Sequence, residues 1–169
     1  VASFDTGLND QEGQPRDALA LRCLGRFLVE RVECTGGYLR ILDKRLLAGF
    51  EQTDLLGLGG TFAVTGPLDN AGSQITDLHF IRPVRNSLPE YAFWEETDTP
   101  GLVLAKYGTG EAAYLPWQVG ELYHLQSIPE CRQVILDLVR RWVPPLATTD
   151  APGSVEITLH HPRGERNRC

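Results

Sequence analysis

Methionine is absent from this 169-residue chain, and several chemical signatures are absent with it. The four cysteines, Cys23, Cys34, Cys131 and Cys169, contain no C-x-x-C pair, which removes the common zinc and dithiol redox arrangements. The histidines, His79, His124, His160 and His161, show no H-E-x-x-H spacing, so no metal site is expected. The glycine-rich pieces GLGG (57–60) and GTGE (108–111) lack the G-x-x-x-x-G-K-[ST] spacing of a phosphate loop. The second falls at a hairpin rather than before a helix, so it has no helix dipole to hold an anion. No cofactor is therefore expected. No apolar run approaches the ~20 residues of a membrane span, and a membrane is not an expected partner. Positive charge is also scarce: 16 Lys and Arg face 22 Asp and Glu, for a net charge of −6. That balance argues against nucleic acid as a partner, because phosphate backbones need a basic face. Arg140–Arg141 and the tail Arg163, Arg166 and Arg168 read as a solvated helix end and loop.

The first ten residues lack a basic segment followed by an apolar stretch, so no signal peptide is visible. With no initiating Met, and a stop at Cys169 just after a turn pattern, both ends are expected to be cuts. Unpaired thiols in a reducing compartment are the expected state of the cysteines, which favours a cytoplasmic location. The length fits about one domain plus a small extra piece, enough to bury a real core.

Val1–Phe4 reads as the end of a strand and Asp5–Gln14 as a polar loop. Pro15, Asp17 and the apolar Ala18, Leu21 and Leu24 predict a helix stopped by Gly25. Strands are predicted at Phe27–Val32 and Tyr38–Leu42, broken by Gly36–Gly37, and at Thr61–Thr65 and Thr76–Ile81. Leu102–Tyr107 and Glu111–Leu115 form a hairpin around Gly108-Thr109-Gly110. Trp117 to His124 reads as a polar and aromatic loop. Ser127-Ile128-Pro129-Glu130 has the form of a capping box, with Pro129 at the first helical position. The stripe Val134, Ile135, Leu138, Val139 and Trp142 follows, and Pro144–Pro145 ends the helix. Residues 147–153 read as a linker. Val155–His160 alternates like a half-buried strand whose partner would begin at Arg166–Cys169.

Three phrases in order, TGLNDQEGQPRDALALRCLG, YLRILDKRLLAGFEQTDLL and TDTPGLVLAKYGTGEAAYLPWQVGELY, carry a resemblance. Together they resemble the glutamine-amidotransferase-like domain, also called the β-galactosidase trimerisation domain, of family 42 and related glycoside hydrolases. The resemblance implies an α/β, flavodoxin-like domain over residues 1–146, N-terminally truncated and carrying antiparallel hairpin additions. Residues 154–169 would begin a small C-terminal β-domain. It further implies a non-catalytic structural or oligomerisation role in a β-galactosidase-like parent, whose catalytic carboxylates lie in an upstream barrel. The parent would form a homo-oligomer. A cysteine nucleophile of the amidotransferase type would lie before or close to Val1, and neither Cys23 nor Cys34 has the flanking glycines of such an elbow. An active amidotransferase-class hydrolase and a sugar-binding module are the alternatives.

Glycoside hydrolysis needs two cooperating carboxylates. Glu95 and Glu96 are adjacent and would point to opposite faces of an extended chain, and Asp98 reads as a turn cap. No residue is assigned a catalytic role. The candidate ligand or interface residues are Trp94, Trp117, Tyr123 and His124, since sugars stack on aromatic faces and a loop at a sheet edge can border a crevice. A core role for Trp117 and a structural role for His124 are the competing readings.

Overall fold

The computed structural model describes residues 1–44, 47–50, 52–69, 74–83, 94–152 and 154–160. Two four-stranded sheets carry the fold. One has the order β1-β8-β7-β4, from β1 (Ala2–Ser3), β8 (Gly110–Leu115), β7 (Val103–Tyr107) and β4 (Gln74–Ile75). The other has the order β3-β2-β5-β6, from β3 (Leu55–Pro67), β2 (Arg26–Ile41), β5 (Leu78–Pro83) and β6 (Trp94–Pro100). The helices are α1 (Val119–Gln126) and α2 (Pro129–Trp142). β1 runs parallel to β8, and the other pairings are antiparallel.

This corrects the expected flavodoxin-like α/β class. Such a fold needs parallel strands joined by crossover helices on both faces, whereas the described residues form mostly antiparallel sheets with two α-helices late in the chain. The segment after Pro15 shows why the pattern misleads. Its amides bond across the chain rather than back one turn: Leu19 N–H to Arg26 O at 2.9 Å and Ala20 N–H to Gly7 O at 2.9 Å. A single 3-10 turn forms at Arg22–Leu24, closed by Gly25 in the left-handed region at φ 55°. Leu19 and Leu24 are buried as loop anchors with Leu8, Ala63, Val103 and Tyr114 in a small second core.

β2 is continuous through the expected break. The pairing with β3 shifts register between Cys34 and Gly37, so the Gly36–Gly37 signal marks a bulge in a 16-residue strand. On the opposing strand Gly60 takes φ 78°, and its neighbour Thr61 donates its N–H to Gln118 Oε1 at 2.7 Å. Alternation along β3 lets it face two cores: Leu56, Leu58 and Phe62 join the main one and Ala63 the second. A bridge between Phe62 and Trp117, with Ala63 N–H donating to Pro116 O at 2.7 Å, joins the two sheets.

The Gly108–Thr109 hairpin forms as expected, with Tyr107 opposite Gly110 and Gly108 at φ 58°. The expected loop at Trp117–His124 is instead mostly α1, which buries Val119 and Leu122 one turn apart. The capping box does not form. Ile128, held extended at φ −70° and ψ 108° before Pro129, is the N-cap, and no side chain caps the helix. Ser127 takes the left-handed conformation and closes α1, donating its N–H to Tyr123 O at 3.0 Å. Pro129 does begin α2, which buries Cys131, Val134 and Leu138. Each buried Val or Leu of that stripe contributes about 1.5–3 kcal/mol. Val139, expected in the stripe, is 40% exposed. After Trp142 the chain is irregular, and Val155, Ile157 and Leu159 are exposed without the expected strand pairing among the described residues. The turn at 162–165 and the return strand at 166–169 lie outside the described residues.

Candidate functional site

The antiparallel register of β2, β5 and β6 builds one outward face. Tyr38 lies opposite Ile81 and Arg40 opposite His79, while Ile81 lies opposite Glu96 and Pro83 opposite Trp94. Because side chains alternate along a strand, Tyr38, Arg40, His79, Ile81, Trp94 and Glu96 share this face. A groove of about 520 Å3 opens there, lined by Arg40, Leu42, His79, Ile81, Glu96 and Asp98 among others.

On the same face, next along the strands from Arg40 and Glu96, Tyr38 and Trp94 meet edge to face, with ring centroids 5.3 Å apart and an interplanar angle of 72°. Both rings remain about 40% exposed, at 40% and 42%, so each keeps a surface that a ligand can cover. Along the groove Arg40 Nη2 pairs with Glu96 Oε1, and His79 Nδ1 lies 3.9 Å from Asp98 Oδ1. The Nε–H of Arg40 is buried from water and has no acceptor among the described residues. An orphaned buried donor costs about 1–3 kcal/mol, so an acceptor placed there is stabilising.

Glu95 and Glu96 behave as an extended pair should: Glu95 lies opposite Arg82 and Glu96 opposite Ile81. The turn-like irregularity of β6 is held by Thr97 rather than by Asp98. Thr97 Oγ1 donates to Phe80 O at 2.6 Å and accepts from Thr99 N–H at 3.2 Å. Asp98 projects fully into solvent. The groove thus offers an aromatic edge, paired charges and one unsatisfied donor, which can hold hydroxyl groups. Within it Glu96 is engaged by Arg40 and Asp98 is solvated.

The four sequence candidates fall in different places. Trp94 borders the groove with Tyr38. Trp117 is fully buried in the main core and donates its indole Nε1–H to Gly101 O at 2.9 Å. Tyr123 (44% exposed) and His124 lie on the outer part of α1. Tyr38, Arg40 and His79 were not among the expected site residues. For Tyr38 and Arg40 the signal was the alternation of Tyr38, Arg40 and Leu42 with Leu39 and Ile41, which marks one outward strand face; His79, on β5, had no such signal.

Among the described residues no group of His, Cys, Asp and Glu could hold a metal ion, and no helix is long and apolar enough to cross a membrane. Cys131 is buried, and its thiol is pushed up to about 11, first by burial and then by the nearby Glu130 charge, which makes it a packing group.

No family model matches this chain, and no curated protein matches its sequence. Among solved structures it is similar to alpha-L-fucosidase isoenzyme 2 from Paenibacillus thiaminolyticus, a glycoside hydrolase, with a TM-score of 0.57 and 19% identity. The match covers 83% of this chain and 20% of that one, so the chain spans about a fifth of the fucosidase. At that identity the likeness is one of fold, and it does not extend to the family 42 trimerisation domain of the sequence resemblance.

Proposed function

We propose that this chain is a non-catalytic part of a glycoside hydrolase, supporting an active site whose acid and nucleophile are supplied elsewhere in the enzyme. The observation that carries this reading is the fold likeness over 83% of the chain to a fifth of a fucosidase. The groove is compatible with it, since Glu96 is engaged by Arg40 and Asp98 is fully exposed. Homo-oligomer formation through the parent enzyme belongs to the same proposal. The test is turnover of aryl glycosides, including an α-L-fucoside, and of glutamine by the purified chain. No hydrolysis is expected. Turnover that persists through repurification and disappears in Glu96→Gln would overturn the reading.

A second reading is favoured by one specific observation, the exposed Tyr38–Trp94 pair beside the orphaned Arg40 donor. In this reading the groove docks a neutral sugar, with the rings against a pyranose face and Arg40, His79 and Glu96 bonding its hydroxyls. Titration with fucose and short oligosaccharides, followed by tryptophan fluorescence, should saturate and should weaken in Trp94→Ala. A flat titration, or one unchanged in that variant, would remove it.

A further inference from the structure

A second cavity, of about 650 Å3, lies between the 16–25 segment and the outer end of β7. Its charged lining is of one sign: Arg16, Arg22 and Lys106, with no carboxylate among the lining residues. In a chain of net charge −6 this is a local reversal. All three side chains are exposed, so they are available to a ligand. Arg16 Nε is 3.0 Å from the carbonyl oxygen of Asn9, which fixes its position without neutralising it.

The wall behind them carries a fourth cation. Arg26 is 4% exposed. Its guanidinium donates Nε–H to Thr65 Oγ1 at 2.8 Å, Nη1–H to Gln74 Oε1 at 2.6 Å and Nη2–H to the Thr65 carbonyl. All three acceptors are uncharged, so none of them neutralises the buried charge. Gln74, which lines the cavity, donates its own amide to Leu24 O at 2.9 Å and so links Arg26 to the cavity wall. Burial lowers the Arg26 pKa from its ordinary value, the direction expected of an unneutralised cation. Buried charge is costly unless it is paired or hydrogen-bonded, and its field is screened least on the side of low dielectric.

We infer that this cavity is a binding site for a small molecule bearing an oxyanion, a carboxylate or a sulfate, held by Arg16, Arg22 and Lys106 and favoured by the buried charge of Arg26. Guanidinium forks match the geometry of such groups, and Tyr107, 61% exposed at the rim, offers a face to the uncharged remainder of the ligand. The inference is independent of the glycosidase reading, which rests on the fold likeness.

The test uses the whole chain at about 20 mM ionic strength, where the Debye length of roughly 20 Å leaves exposed charges active. Sulfate, glucuronate and glucose are titrated separately by calorimetry and by amide chemical shifts. Saturable binding is expected for sulfate or glucuronate, with shifts at Leu24, Gly25, Lys106 and Tyr107, and none is expected for glucose. Sulfate alone would indicate an inorganic or sulfated ligand, and glucuronate alone a carboxylated one. Arg22→Gln and Lys106→Gln, both on exposed side chains, should each weaken binding about tenfold, which is ~1.4 kcal/mol. Arg132→Gln, an exposed arginine on α2 with the same loss of charge, should leave binding unchanged. The inference fails if neither anion saturates, if the shifts lie elsewhere, if glucose binds as well, or if Arg132→Gln weakens binding as much as Arg22→Gln.

Discussion

Replacing Trp117 isolates the seam between the two sheets. The side chain is fully buried in the main core with Phe62 of β3 and donates its indole N–H to Gly101 O at 2.9 Å, while its backbone forms the bridge to Phe62. The surroundings have little room to adjust. A Cβ at Gly101 would lie 2.6 Å from Leu39 Cδ2 and 3.2 Å from Leu78 Cβ. Trp117→Ala should therefore leave a cavity that does not collapse and should cost about 3–5 kcal/mol. Trp117→Phe keeps an apolar ring but leaves the buried Gly101 carbonyl without its donor, for a cost of about 1–3 kcal/mol. Against a total stability of ~5–15 kcal/mol, the alanine variant approaches the threshold for folding. At roughly 2–4 °C per kcal/mol for a chain of this size, the Phe variant should melt ~2–12 °C and the Ala variant ~6–20 °C below the parent. Urea unfolding followed by circular dichroism measures both. A Trp117→Ala protein within ~1 kcal/mol of the parent would refute the packing argument. Equal losses in the two variants would show that the hydrogen bond, rather than the filled volume, holds the seam.

Three further outcomes follow from local geometry. Glu111 is held below the ordinary carboxylate value, first by its hydrogen bond from Arg141 and then by that from the Trp142 indole. Its folded pKa is depressed, so this contribution is complete above the unfolded value near 4.5 and disappears as pH falls through the folded value. Urea midpoints should therefore drop between pH 6 and 3, and the drop should be smaller in Glu111→Gln. With its thiol at about 11, Cys131 should be only about a thousandth thiolate at pH 8, so iodoacetamide should label Cys23 in the native protein and Cys131 only after urea. Equal labelling rates by peptide mass spectrometry would contradict the burial of α2. Gly60→Ala should cost about 1–2 kcal/mol, because φ is 78° and the added Cβ would strike the Gln118 oxygen that accepts from Thr61. Gly36→Ala, which meets nothing within 4 Å, should be neutral or stabilising by up to about 1 kcal/mol in the same assay.

The parts of the fold legible in the sequence are those governed by a few neighbouring residues. Gly25 and Gly108 take the positive φ that their turn positions suggested, and Pro129 starts α2. Legibility failed where a distant partner decided the outcome. Residues 15–24 carry helical spacing, yet their amides find acceptors on Gly7 and Arg26, and their leucines fill a core completed by Val103 and Tyr114. Gly36–Gly37 could end a strand or bulge one, and the long pairing with β3 selects the bulge. Ser127 illustrates a contest between two local signals. A serine two residues before Pro129 can cap α2 only if Ile128 is helical, and the steric demand of Pro129 disfavours that and leaves Ile128 extended. The candidate site was harder still, because Trp94 gains its meaning from Tyr38, and only the β2-β5-β6 register brings those rings together.

The two surfaces differ in a way that gives a final, separable prediction. The β2-β5-β6 groove sets Arg40 among Glu95, Glu96 and Asp98, so its formal charge is acidic, and an aromatic pair lies on the same face. The cavity beside β7 gathers Arg16, Arg22 and Lys106 with Arg26 behind them. A neutral sugar in the groove would be held by ring contact and short hydrogen bonds, which salt barely screens. An anion in the cavity would be held by exposed cations, which salt screens strongly: the Debye length falls from ~30 Å at 0.01 M to ~3 Å at 1 M. Raising salt across that range should abolish sulfate or glucuronate binding while leaving a fucose titration at Trp94 in place. Trp94→Ala should do the reverse. Parallel loss of both ligands with salt, or with either substitution, would mean that a single surface had been mistaken for two.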